Sequence, residues 1–177
     1  MLKSNITFNA SDVTYVSSEE SNKNFSHSQY LLSGLKKDET DSGIIIYKSL
    51  FKFNLTPLNN MQVKTAYLCF KISSIYPEIK YYRNNTFSLY KNLENYNYST
   101  VTWNSFPKVD HESQIELNIG INDVGKYISI NITNFINSWI KNKNNFGITL
   151  KTNSKNKLSV LNICSTTSSN PPCLIIL

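Results

Sequence analysis

Apolar residues recur at every second position along most of this chain, and at helical spacing in one place only. Residues 65–72 alternate most clearly: Ala66, Leu68, Phe70 and Ile72 share one face, with Tyr67, Cys69 and Lys71 on the other. Shorter strands are predicted at 49–53 (stopped before Pro57), 86–90, 127–130, 146–150, 158–163 and 174–177. Ile132, Phe135, Ile136, Trp139 and Ile140 fall at i, i+3, i+4, i+7 and i+8 and form one apolar stripe. That stripe predicts a short amphipathic helix at about 132–142, packed on a sheet. Asn131 or Thr133 can cap its start, and Asn144-Asn145 before Gly147 ends it.

Many short strands separated by Asn, Ser, Pro and Gly clusters give an all-β fold, an antiparallel β-sandwich of jelly-roll type carrying that one helix. No long linker, composition break or internal repeat divides the chain, so residues 1–177 are expected to form one domain, with 1–11 as an extra N-terminal strand or arm. At 177 residues the chain is long enough to bury a proper core. It has no apolar run of membrane-spanning length.

Composition narrows the partners. The net charge is +6, with 17 Lys but a single Arg, Arg83, beside 25 Asn and 23 Ser. The lysines are scattered along the chain, and the densest group, Lys141-Asn142-Lys143, sits where the helix dipole favours cations. Bidentate reading of phosphate and guanine relies on Arg, so nucleic acid is excluded as a partner and the charge reads as a solvated basic surface. The Lys-for-Arg and Asn bias suggests a low-GC bacterial source. Residues 1–8 have no apolar stretch leading to a small-residue cleavage site, so no secretory signal peptide is expected.

The order of segments resembles the DNRLRE domain, a bacterial and archaeal surface β-sandwich related in shape to carbohydrate-binding modules. Thr14-Tyr15-Val16-Ser17-Ser18, Asn24-Phe25-Ser26 and Tyr30-Leu31-Leu32-Ser33-Gly34 are similar to that family's opening. The strand from Lys48 to Leu55, the run Tyr98-Ser99-Thr100-Val101-Thr102-Trp103-Asn104-Ser105-Phe106-Pro107, the helix through Trp139 with Asn145-Phe146-Gly147-Ile148, and the closing Pro172-Cys173-Leu174-Ile175 continue the likeness. Against that family, Lys48 stands for Arg, Asn54 and Asn131 for Asp, Tyr96 for Trp and Tyr98 for Glu. These exchanges remove candidate ion pairs and ion ligands. The resemblance also implies that Trp103 and Trp139 are framework residues, and Trp139 lies on the apolar stripe of the helix, so both read as core.

Catalytic chemistry finds little support. His27 and His111 are isolated in polar stretches, and the side chains of Asp110-His111-Glu112 diverge as neighbours do. No G-x-S-x-G elbow, P-loop or H-E-x-x-H is present, so no catalytic residue, metal or cofactor is assigned and the chain reads as a non-enzyme. Tyr81, Tyr82, Tyr96 and Tyr98 lie outside the apolar alternation in polar loops. Such tyrosines can stack on a pyranose or serve a protein contact. The N-x-[ST] triplets are what an Asn- and Ser-rich composition produces by chance.

Three cysteines remain. Alternation turns Cys69 away from Leu68 and Phe70, Cys173 away from Leu174, and leaves Cys164 at a strand end. They read as idle buried thiols, as disulfides between molecules, or as an internal bridge if two face each other within about 7 Å. The main expectation is a structural protein that assembles with copies of itself into a coat, layer or fibre on a bacterial cell or spore surface. Its assembly strands would be Ile6 to Phe8 and Leu174 to Ile176, added to a neighbour's sheet edge. The alternative is a carbohydrate-binding module for a surface or extracellular polysaccharide.

Overall fold

The computed structural model describes residues 5–40, 43–76, 85–153 and 158–177. Eleven strands form among them: β1 (Ile6–Asn9), β2 (Asp12–Ser17), β3 (Tyr30–Lys37), β4 (Ile44–Lys52), β5 (Ala66–Tyr76), β6 (Asn85–Lys91), β7 (Ile115–Ile119), β8 (Tyr127–Asn131), β9 (Ile148–Thr152), β10 (Ser159–Cys164) and β11 (Cys173–Ile176). One helix, α1 (Thr133–Asn142), follows β8. Every pairing is antiparallel, as the alternation predicts.

The long strand β5 serves both layers. Ala66 to Lys71 pair with β11 and β8, with β1 beyond β11; Val160 to Ile163 of β10 pair with β5 between Tyr76 and Ile72. From β10 the ladder continues through β3, β4, β9, β6 and β7, and β2 lies along β4. The interior holds Phe51, Phe53, Phe70, Phe87, Leu31, Leu68 and Leu89, with Phe135, Ile136 and Trp139 of α1 packed into the same core.

Local chemistry sets the helix ends. The Asn131 side-chain oxygen Oδ1 accepts from the Thr133 N–H at 3.0 Å and from its hydroxyl at 2.7 Å, which starts the turn. Lys143 ends α1 in the left-handed conformation, φ +54°. The Asn145-Phe146-Gly147 run has a clear geometric role. Asn145 donates to the Phe53 carbonyl at 2.7 Å and accepts from the Gly147 N–H at 3.2 Å. Gly147 has φ +83°, and a Cβ there would stand 2.6 Å from the Phe51 carbonyl oxygen, so only glycine lets β9 close on β4.

The strands β2 and β3 do not stand out by period. Val13 to Ser17 are all buried, and so are Leu31, Ser33, Gly34 and Leu35, because both faces of these strands are covered. Strand β7 does alternate, with Ile115, Leu117 and Ile119 on one face, over only five residues.

Candidate functional site

The outer face of the β2–β4–β9–β6–β7 region departs from the usual solvated surface. Lys48, Leu50 and Lys52 of β4 point the same way, opposite Val16, Thr14 and Asp12 of β2. Leu50 is fully buried although it lies on the face away from Phe51. Its cover is the connection after β6, which supplies Tyr96 and Val101 to a second cluster with Val16 and Leu50, and packs Trp103 and Phe106 against it. Asn24 pins this connection by donating to the carbonyls of Tyr98 and Val101, both at 2.8 Å. Asn104 ties it to Asn22 at 2.8 Å, and a Thr102–Ser105 capping box shapes the turn around Trp103.

Lys48 emerges beside this lid. Its ammonium nitrogen stands 4.1 Å from the ring centres of both Trp103 and Phe106. One step along the β4–β9 ladder from the Ser49–Leu150 pair comes Lys151, whose nitrogen lies 4.6 Å above the Tyr90 ring. The register then sets Lys151 opposite Ser88 of β6, and Ser88 opposite Glu116 of β7. The Tyr90 hydroxyl donates to Asn153 at 2.7 Å, and the Ser88 hydroxyl oxygen accepts from Asn153 at 2.6 Å and from Gln114 at 3.1 Å. His111 rests edge-on against Tyr90, with ring centres 5.5 Å apart.

Electrostatics mark the same place. Burial, and then the charge of Lys151, push Lys48 down to about 8 from its ordinary value. Burial also lowers Lys151. Among the described residues neither amine has a carboxylate within ion-pair distance; the ion pairs there are Lys23–Glu20, Lys36–Glu39, Lys91–Asp110 and Lys108–Glu94. Two partly desolvated cations with no acidic partner among the described residues, flanked by the half-buried rings of Trp103 and Phe106 and by a chain of amide and hydroxyl groups, form a face that suits a polyhydroxylated ligand; Tyr90, 3 % exposed beneath Lys151, is part of its floor. Rings pack on C–H surfaces, amides and hydroxyls exchange hydrogen bonds, and amines meet oxygen acceptors.

Two polar clefts lack the stacking surface. One of about 520 Å³ lies between the end of β4 and α1, lined by Asp12, Lys52, Asn54, Asn60 and Asn145; its aromatic residues, Phe53 and Trp139, are only 2 % and 3 % exposed. The other, about 610 Å³, is walled by Lys64, Lys91, Glu112, Gln114 and Asn131, with Phe135, 5 % exposed, as its aromatic residue.

The residues singled out by sequence are dispersed. Tyr81 and Tyr82 lie outside the described residues. Tyr96 is 9 % exposed in the second cluster, with its hydroxyl buried and unpartnered, so it offers no face to a sugar. Tyr98 is 39 % exposed on the same connection. Trp139 is core, as expected, whereas Trp103 is only half-buried because its ring packs on Lys48 rather than inside the sandwich. Asp110 has a structural task, accepting from the Glu112 N–H at 3.1 Å and pairing with Lys91 at 3.3 Å.

The supposed assembly strands pair with each other. Ile6 faces Ile176 and Phe8 faces Leu174, and β11 also pairs with β5, so both edges of β11 are filled within the chain. Cys69 and Cys164 are free and buried, closed off from another molecule, and Cys173 is free and half-buried.

In the sequence Lys48 stands out only as a cation-for-cation exchange and Lys151 only as one of the scattered lysines, and nothing local marks Asn153. Leu50 between Lys48 and Lys52 was the available signal: an apolar residue on an outward face implies a cover. No curated protein is similar enough to this chain to count as a relative. From residue 4 to residue 177 the chain matches the model of carbohydrate-binding module family 96, and it belongs to that family.

Proposed function

We propose that this chain is a non-catalytic module that binds a polysaccharide across the face built by Lys48, Trp103, Phe106, Lys151 and Asn153. Membership of a family of carbohydrate-binding modules supports the ligand class. The observation that carries the location is the Lys48–Lys151 pair, with no acid paired to either amine among the described residues and seated beside aromatic rings. The motif likeness to DNRLRE surface domains agrees with this role and with a setting outside the cell or on its surface, where polysaccharides are met. Self-assembly has no such support: β11 has both edges filled within the chain, and β1 is left with one unpaired edge among the described residues. No helix among the described residues is long and apolar enough to cross a membrane.

The pair of amines favours ligands bearing carboxylates over neutral ones, with an affinity that weakens as salt rises. Affinity electrophoresis through gels cast with neutral polysaccharides and with polyuronates tests this. The wild-type chain should be retarded, most strongly by the acidic gels at low salt. Trp103→Ala and Lys151→Met should each lose most of the retardation, about tenfold in Kd, while keeping the wild-type unfolding midpoint within a few degrees. Retardation left intact in both variants removes the site from this face.

A further inference from the structure

The outer face of the β5–β11 region carries chemistry that sugar binding does not use. Cys69 of β5 and Cys173 of β11 are direct register partners. The type of pair follows from the hydrogen bonds. Leu177, four residues beyond Cys173, donates its N–H to the Thr65 carbonyl at 3.0 Å, four residues before Cys69. On the other side of β11 the Ala10 N–H donates to the Pro172 carbonyl at 2.9 Å, so Pro172 points to β1 and Cys173 to β5. Cys69 and Cys173 are therefore a hydrogen-bonded pair, for which Cα atoms stand about 5.5 Å apart, within the roughly 4.4–6.8 Å span that a disulfide bridges. Both side chains leave the same face of the sheet, because Leu68 and Leu174 take the core side.

The surroundings fit a bond formed inside the molecule. Cys69 is 4 % exposed, and its sulfur lies 3.3 Å from the Ser129 hydroxyl of β8. Cys173 is half-buried and so open to a small reagent. The Tyr127 phenol, hydrogen-bonded to Asn170 at 3.1 Å, sits near both and near Cys164; burial raises its pKa, and Cys173, Cys164 and Cys69 add to the rise. Strand β1 finds its partner in β11, and β11 reaches the body of the sandwich through β5. A link between β5 and β11 thus fastens two strands.

We propose that Cys69 and Cys173 form a cross-strand disulfide on exposure to a low-molecular-weight disulfide, stapling the β1–β11 edge to β5. The Cys173 thiolate attacks the reagent, forms a mixed disulfide and releases one thiol. The Cys69 thiolate then attacks the Cys173 sulfur and releases the second. The two protein thiols lose two protons and two electrons, and the reagent, reduced to two thiols, takes them up. Burial first, and Cys69 second, raise the Cys173 pKa, so the reaction is slow at neutral pH and quickens in mild alkali.

The test treats the folded chain with oxidised glutathione at pH 8.5, beside the Cys164→Ser, Cys69→Ser and Cys173→Ser variants. The wild type and Cys164→Ser should lose about 2 Da and yield, on non-reducing digestion, one cross-linked peptide pair containing Cys69 and Cys173. Cys69→Ser should stop at a mixed disulfide, gaining about 305 Da at Cys173, and Cys173→Ser should stay unmodified. The oxidised wild type should melt about 10 °C higher, reversibly on reduction, because the bond closes a loop of over 100 residues. A bridge that uses Cys164, a disulfide-linked dimer, or a wild type that remains unmodified or stalls at the mixed disulfide overturns the proposal.

Discussion

Lys48 should be the most reactive lysine of the folded chain near neutral pH. Burial and the charge of Lys151 bring it down to about 8, from an ordinary 10.5. The two rings at 4.1 Å act the other way, since a cation over an aromatic face gains about 0.5–1 kcal/mol. With a pKa of about 8, roughly a quarter of the amine is neutral at pH 7.5, against about 0.1 % for an ordinary lysine, a difference of ~200-fold. Even a tenfold loss of access through partial burial leaves it ~20-fold ahead. Trace labelling with acetic anhydride, read by peptide mass spectrometry against the unfolded chain as reference, measures this directly. Bound polysaccharide should protect the same amine.

The same shift has a stability consequence with a definite sign. Lys48 holds its proton less tightly in the folded chain than in the unfolded one, so the unfolded state binds more protons between pH 8 and 10.5 and stability rises with pH through that window. Below about 8 the penalty of the charged amine is fully present. The full shift corresponds to about 3 kcal/mol, and solvent screening at a partly exposed site reduces it to about 1–2 kcal/mol. Lys48→Met should therefore be neutral to about 1 kcal/mol more stable at pH 7, after the lost ring contacts are counted, and should lose that advantage by pH 10.5. Labelling of Lys48 at the rate of the other lysines, or a variant whose stability relative to wild type is the same at both pH values, refutes the reasoning.

Two further perturbations separate backbone from side-chain effects. At Gly34 a Cβ would stand 1.9 Å from the Ser159 carbonyl oxygen, with φ +136°, so Gly34→Ala should cost more than about 3 kcal/mol by denaturant titration, while Gly125→Ala, at φ +81° in open space, should cost only about 1 kcal/mol. Tyr96→Phe deletes a buried hydroxyl that has no partner and should be neutral or about 1 kcal/mol stabilising, with glycan retardation unchanged; a loss of retardation would restore Tyr96 to the binding surface.

Much of the fold was legible because most strands have one covered face. The alternation at Ala66, Leu68, Phe70 and Ile72 and the stripe from Ile132 to Ile140 each translate directly into burial. Strands β2 and β3 were harder, since two-sided burial erases the period. The sites were far less legible. Lys48 and Lys151 are 103 positions apart and Cys69 and Cys173 are 104, and each pair is made by register between distant strands. A slip of one residue would send either pair to opposite faces. Nothing local to these residues encodes that register. It is set by turns and close approaches elsewhere, such as Gly147 against Phe51 and Gly34 against Ser159.

The second cluster explains why binding chemistry collects on one face of this sandwich. An outward strip containing Val16 and Leu50 cannot be left in water without cost, so the connection after β6 folds over it with Tyr96 and Val101. The lid covers the strip only in part, and at its margin Trp103 and Phe106 stay half-exposed around the Lys48 amine. Lys48 is desolvated beside the same connection that buries Leu50, and Lys151 is held next to it by the β4–β9 pairing. The stability of the lid and the electrostatics of the face are thus coupled. Loosening the lid by Asn24→Ala, which removes two 2.8 Å hydrogen bonds to its backbone, should raise the Lys48 pKa toward that of a solvated amine, seen as a fall in its labelling rate at pH 7.5. Labelling as fast in that variant as in the wild type would show that the lid does not tune the site.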